Sequence, residues 1–237
     1  MYKKQAFEVE EQIITVQLGQ VKLEGELVIP EDAQGIVVIP SAKSSIKHEH
    51  RLRYLAHLLR QAGWATILIH LLTQEEDRLD QRSKHFRCNI LHLATRLVGI
   101  TDWLAENSMT FNLKIGYFGA SALGGAVLLA AAQRTKVCSV VARSAYTYLI
   151  GSDLTYLQAP TLLIVGGEDY PTIAMNEDAL LQISAHDKRL EVIPNASHKF
   201  EEPGTLEEAA RLANQWFKHH LQLANSNQTY LQTLSLV

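Results

Sequence analysis

An α/β domain is what the sequence predicts: a mostly parallel central sheet, an N-terminal antiparallel hairpin, and helices on both sheet faces. Three observations carry that expectation. Short apolar runs rich in β-branched residues recur at 35–40, 65–72, 137–142, 161–166 and 190–193, and runs of this length and composition are typical of strands buried on both faces. Between several of them lie segments with the 3.6-residue periodicity of amphipathic helices. Strand and helix therefore alternate from Gly35 onward, which demands crossover connections and a parallel sheet covered on both sides.

The elements follow in order. Residues 13–18 and 21–29 alternate or run apolar around Gly19 and read as the hairpin. Residues 35–40 form the first buried strand. Over 51–62, Leu52, Tyr54, Leu55, Leu58 and Leu59 mark one helical face, and Gly63 stops the helix. A second buried strand covers 65–72. The charged stretch 74–87 is expected as a loop or an exposed helix start, and helical spacing returns over 90–104. A short apolar run then ends in a small-residue turn at Ser121 and opens into an Ala- and Leu-rich helix reaching Ala132. Strands follow at 137–142, 161–166 and 190–193. Residues 205–221 read as the last helix, entered through a capping box of Thr205 and Glu208 just after Pro203-Gly204. One domain is expected over residues 1–223, with 224–237 as a flexible polar tail carrying Leu231, Leu234 and Leu236, or alternatively as a segment that packs on a second subunit of a homodimer.

Composition narrows the function classes. A chain of 237 residues, 47% hydrophobic and 20% charged, can bury a sizeable core and is not a disordered segment. Its net charge of −3 and scattered Lys and Arg residues give no general attraction to nucleic acid or to an anionic membrane. Two cysteines, Cys88 and Cys138, do not make a disulfide scaffold and are expected as reduced thiols. The first ten residues contain no apolar signal segment, and no apolar run approaches the ~18 residues of a membrane span. The cytoplasm is the expected location.

The chemistry centres on Gly119-Ala-Ser121-Ala-Leu123. A strand, a sharp turn and a helix with serine at the tip is how one hydrolase architecture presents a nucleophile, although Leu123 stands where the G-x-S-x-G pattern has its last glycine. A serine hydroxyl is a poor nucleophile at neutral pH; it needs a base within hydrogen-bond reach, and the base needs an orienting carboxylate. In that architecture the order along the chain is serine, acid, histidine. Asp169, with Glu168 as its neighbouring alternative, follows the strand at 161–166, and His198 follows the strand at 190–193. Each residue alone has an ordinary structural reading: a small-residue turn, a helix cap, a solvated loop histidine. The three in order, each at a strand end, outweigh those readings.

Other signals are weaker. Lys47-His-Glu-His50 lacks a second pair at metal-ligand spacing and reads as a solvated loop or helix start, so no metal is expected. His219 and His220 are placed at the end of the last helix, where they suit its negative dipole. His70 ends a strand and receives no role. Neither a P-loop nor a dinucleotide fingerprint occurs.

With these residues in view, the chain resembles the dienelactone-hydrolase-like branch of the α/β-hydrolase superfamily over about residues 13–222. The most specific stretches are 116–121 (GYFGAS), 159–169 (APTLLIVGGED) and 196–208 (ASHKFEEPGTLEE), with 71–76 (LLTQEE) alongside. The resemblance implies an α/β-hydrolase fold, Ser121 as nucleophile, Asp169 as orienting acid, His198 as base, and cofactor-free hydrolysis of a small-molecule ester, lactone or thioester. Backbone N–H groups of Ala122 and Ala42 are the implied oxyanion donors. The chain departs from the family pattern in three places. Residues 40–46 (PSAKSSI) replace a glycine-rich oxyanion loop, residues 143–146 (RSAY) replace a Ser-Arg-Gly-Gly-Arg-like stretch, and Leu123 breaks the elbow. Aligning Leu123-Gly-Gly with a Ser-Leu-Gly-Gly elbow would put Ala122 at the nucleophile position, but Tyr117-Phe-Gly-Ala-Ser121 aligns better without that shift. The departures keep an alternative open: a catalytically impaired hydrolase-fold protein that binds a ligand or protein partner.

Overall fold

The computed structural model describes residues 11–42 and 46–234, the side chains of 46–49 and 222–234 excepted. Strands β1 (Gln12–Leu18) and β2 (Val21–Val28) form the antiparallel hairpin around Gly19, whose φ of +61° suits a residue without Cβ. Strands β3 (Ile36–Ser41), β4 (Ala65–His70), β5 (Ile115–Ala120), β6 (Val137–Arg143), β7 (Thr161–Gly166) and β8 (Lys188–Ile193) run parallel to one another. All eight join one sheet in the order β1-β2-β4-β3-β5-β6-β7-β8, with β2 antiparallel to β4.

Alternation along the strands builds two cores, one per face. Val37, Ile39, Phe118 and Val141 pack against Leu55, Ala56 and Leu59 of α1 (Ile46–Gln61) and Ala210, Ala213 and Phe217 of α6 (Thr205–Leu234). Their strand neighbours Ile36, Val38, Tyr117 and Val140 point the other way. There they meet α3 (Ile90–Glu106), α4 (Ala122–Gln133) and α5 (Tyr170–Gln182). The sheet grows from β3 toward β4 and then, on its other side, toward β5. The helices after β3 and β5 accordingly lie on opposite faces, and the C-terminal ends of these two strands open a crevice at a topological switch point. Ala42 and Ser121 stand on its two sides.

Of the two readings of 74–87 the structure takes the helix start, and two other expectations need correction. The stretch 74–87 is an ordered helix, α2 (Gln74–Ser83), followed by a turn. The Thr73 hydroxyl accepts the Glu76 N–H and the Glu76 carboxylate accepts the Thr73 N–H, a complete capping box. Asp80, 0% exposed, accepts the backbone N–H groups of Phe86 (2.6 Å) and Arg87 (3.1 Å) and the Arg87 guanidinium, while Glu76 holds Arg96 through two 2.6 Å bonds. Glu76, Asp80 and Arg87 are spent on these internal bonds, while Glu75, Arg78, Arg82 and Lys84 stay exposed. The box predicted at Thr205 does not form: Thr205 is the first helical residue, its hydroxyl donates to the Glu202 carbonyl at 2.7 Å, and Glu208 binds Arg211. Helix α6 also runs to Leu234, through most of the expected tail. No glycine or proline occurs after Gly204 to stop it. His219 and His220 are therefore mid-helix residues, and the helix-end dipole does not explain them.

Candidate active site

Strand β5 delivers the chain to Ser121 at φ 54°, ψ −121°, and α4 begins at the next residue. Positive φ at a residue with a Cβ costs about 1–3 kcal/mol and persists only where the surroundings enforce it. Here the Ser121 N–H donates to the Arg143 carbonyl at 3.0 Å, and the Ser121 carbonyl accepts the N–H groups of Gly125 and Tyr146 at 3.2 and 3.1 Å. The small residue this turn needs is Gly119: a Cβ there would lie 2.4 Å from the Leu123 carbonyl oxygen. Leu123 itself can carry a side chain because that side chain turns into the core, where it is 8% exposed and borders the cavity. The break in the glycine pattern is thus accommodated.

Strands β7 and β8 position the other two residues. At the end of β7, Gly166 passes so close to the following loop that a Cβ would lie 2.3 Å from the Ala196 carbonyl oxygen. That contact seats the loop carrying His198, which is also held by Ser144 Oγ donating to the His198 carbonyl at 3.1 Å and by Ser197 N–H donating to Glu202 at 3.0 Å. Asp169 Oδ2 lies 2.6 Å from His198 Nδ1, and Ser121 Oγ lies 2.9 Å from His198 Nε2. The carboxylate requires the proton on Nδ1, which leaves Nε2 as the acceptor for the serine O–H. Asp169 makes no side-chain cap on α5, so its carboxylate serves the histidine, while Glu168 is exposed.

Ser121 and His198 line a crevice of about 660 Å³ together with Ala42 and Ala122, and Asp169 stands behind His198, outside the lining. That volume suits a small organic ligand. Pro40, Leu52, Leu55, Phe118 and Leu206 provide apolar walls. Residues 43–45, the middle of the predicted oxyanion loop, lie outside the described residues, as do the side chains of 47–49. His70 is not among the lining residues.

Sequence reasoning missed Tyr146 and Arg143 as site residues, although it marked their segment as altered. The Tyr146 ring stacks on His198 (5.5 Å between centroids, 20° between planes), with its hydroxyl 3.3 Å from Nε2. Burial above all, with the Tyr148 and Asp169 charges behind it, raises the Tyr146 pKa, so the hydroxyl stays a neutral donor. Arg143 ends β6, and residues at the C-terminal ends of parallel strands face the crevice; that position was the available signal. Its guanidinium sits 4.7 Å over Phe200 and donates to the Lys199 carbonyl at 3.2 Å, while Nε is sealed from solvent without a partner. Among the described residues no carboxylate pairs with it. Burial, with Arg51 beside it, pushes its pKa down to about 10, still charged at neutral pH.

No family model matches the chain. The crystal structure of a dienelactone hydrolase from Anabaena variabilis is 54% identical, with a TM-score of 0.86 over 90% of this chain and 98% of that one. The chain belongs to the dienelactone hydrolase family. Est1E from Butyrivibrio proteoclasticus, 15% identical with a TM-score of 0.69 over 90% of this chain and 99% of its own, shares the fold. A Mycobacterium tuberculosis protein that bears a phosphoribosyl transferase name is 45% identical over 209 residues, which are 88% of this chain and 46% of that protein. The chain spans about half the length of the curated relatives it matches. As a dienelactone hydrolase family member it carries the α/β-hydrolase fold predicted from its sequence. Among its described residues no helix is long and apolar enough to cross a membrane.

Proposed function

We propose that the protein is a serine hydrolase that cleaves a small ester, lactone or thioester bearing an anionic substituent. The single observation that carries the reading is the unbroken hydrogen-bond chain from Ser121 through His198 to Asp169, at 2.9 and 2.6 Å. Ser121 Oγ bonds to the substrate carbonyl carbon as His198 Nε2 takes its proton, and the carbonyl electron pair moves onto oxygen. Backbone N–H groups of Ala122 and Ala42 receive that oxyanion. As the pair returns, the bond to the leaving oxygen or sulfur breaks and His198 returns the proton to it; in a lactone the leaving oxygen stays tethered. Water, deprotonated by His198, then attacks the acyl-enzyme and releases the acid. Tyr146 supports the ring of His198 and presents a hydroxyl toward the reacting atoms.

The charge of the substrate follows from the cavity. Among the described residues Arg51, Lys84, Arg87, Arg143 and Lys199 line it against one carboxylate, Glu201, and Arg87 is neutralised by Asp80. Arg51 is engaged by the Lys199 and Phe200 carbonyls, both at 2.6 Å, and pairs with Glu201 at 4.0 Å. Arg143 has no anionic partner among the described residues, and a half-buried guanidinium without one gains from a carboxylate supplied by the ligand. Arg143→Gln is expected to lower kcat/KM for a carboxylate-bearing ester about 10- to 100-fold relative to a neutral ester of the same size, measured as the ratio of the two substrates in each variant. An unchanged ratio would remove the anionic preference.

The phosphoribosyl transferase name belongs to a protein of about twice the matched length. Transfer of a phosphoribosyl group draws no support from a serine–histidine–aspartate chain, which is suited to passing an acyl group to water. A fluorophosphonate probe tests the hydrolase reading. Wild type is expected to label on Ser121, seen as a mass shift on its peptide, and Ser121→Ala is expected not to label. Equal labelling of both would instead favour the non-catalytic binding protein.

A further inference from the structure

At the opposite end of the sheet from Ser121, three side chains that the hydrolytic site does not use converge. Asp187 immediately precedes β8, whereas His198 follows its far end. The six residues of β8 separate the two regions by roughly 20 Å. His219 and His220 are consecutive on α6. Consecutive helical residues point about 100° apart and do not ordinarily face each other. These two rings nevertheless lie 4.7 Å apart between centroids. A carboxylate oxygen of Asp187 and one ring nitrogen from each histidine all fall within 4.8 Å of one another.

His220 is 8% exposed, and its Nε2 has no hydrogen-bond partner among the described residues, although Asp187 Oδ2 is 3.2 Å away. The contact has the distance of an ion pair without the alignment of a hydrogen bond. Trp216, 4.3 Å from His220 between ring centroids, fixes the imidazole in that orientation. A buried acceptor or donor left unpaired and aimed at a carboxylate and a second imidazole is explained if a cation sits between them.

We infer that Asp187, His219 and His220 form a site for a borderline divalent cation, with zinc the best match. Two imidazoles and one carboxylate suit Zn²⁺ rather than Mg²⁺ or Ca²⁺, which take oxygen ligands. Bonds of about 2.0–2.1 Å in a tetrahedron put neighbouring ligand atoms about 3.3 Å apart, and the His220–Asp187 distance of 3.2 Å already meets that spacing. His219 is exposed and can turn to complete the third position. Arg189, which could compete for Asp187, lies 5.9 Å over Trp216 and pairs with Glu191 at 3.7 Å. Three protein ligands leave a fourth position for water. The bound ion ties α6 to the start of β8, an edge of the sheet that covalent chain alone does not join.

Calorimetric titration of the chelator-treated full chain with Zn²⁺ tests this. One ion per chain is expected, and the visible bands of tetrahedral Co²⁺ should appear on cobalt titration. His219→Gln and Asp187→Asn are each expected to weaken zinc binding by at least the ~10- to 100-fold that loss of a supporting partner costs, and to leave ester hydrolysis unchanged. Zinc should raise the thermal midpoint of wild type and not of His219→Gln, whose exposed position keeps the metal-free fold intact. Absence of saturable one-to-one binding, or binding of undiminished affinity in both variants, would overturn the site.

Discussion

Asp169→Asn is expected to lower kcat on a p-nitrophenyl ester about 10⁴-fold, while the variant still folds and unfolds cooperatively. The reason is a tautomer. The Asp169 carboxylate can only accept, so it keeps the proton on His198 Nδ1 at 2.6 Å and leaves Nε2 open to the Ser121 O–H at 2.9 Å. An asparagine amide can donate to Nδ1 instead, which moves the ring proton to Nε2 and leaves the serine no acceptor. Shape and volume are nearly conserved, and the α5 N-terminus loses nothing because the Asp169 side chain does not cap it. Steady-state kinetics and thermal unfolding on the same preparation separate the two roles. A variant that unfolds more easily yet hydrolyses normally would return Asp169 to a structural part.

Asp80→Ala is expected to destabilise the fold by about 3–5 kcal/mol, the effect of removing one member of a buried ion pair and stranding the other. Asp80 is fully buried and binds the Phe86 and Arg87 N–H groups together with the Arg87 guanidinium. It is the centre around which the turn after α2 is wound. That turn carries Lys84, Arg87 and Cys88 into the cavity wall, so loss of Asp80 should also raise KM. Burial by itself would raise the carboxyl pKa, but the bonds from Arg87 and the two N–H groups outweigh it and hold the pKa below its ordinary value. A depressed folded pKa means that the stabilisation is complete above the unfolded value of about 3.9 and is lost as pH falls through the folded value. Amide exchange over residues 74–88 should therefore accelerate selectively in strong acid, below about pH 4 in wild type. In Asp80→Asn exchange there should already be faster at neutral pH and change little on acidification.

Strand and helix positions were legible because burial leaves a period. The runs at 35–40, 115–120 and 161–166 are apolar on both faces because helices cover both sides of those strands, and such a run admits little else. The order Ser121, Asp169, His198 was legible for a similar reason: each sits one turn beyond a strand, and parallel strands send their C-terminal ends to one side. What pattern could not supply was contact between residues far apart in sequence. Asp169 and Glu168 are neighbours in one turn, and only the path of the loop after Gly166 turns the first toward His198. Leu123 looked like a defect in a linear motif, yet the close approach it was expected to obstruct falls on Gly119.

The charged stretch before Cys88 shows the same limit. Its composition says exposed, and its capping box, Thr73 with Glu76, stands in the residues without having been read there. Asp80 became buried because Arg87 and two N–H groups arrive together to meet it, an arrangement no window of sequence displays. Arg143 is an ordinary arginine at a strand end until the fold withdraws it beside Arg51 without a carboxylate. His219 and His220 appeared to close a helix that in fact continues past them. Local chemistry and periodicity thus determined the class of fold, the strand ends and the chain order of the candidate site. Which side chains meet, which charges go unpaired and how deep each group lies were decided by tertiary packing, because desolvation and hydrogen-bond partnership depend on neighbours that the fold brings from tens of residues away.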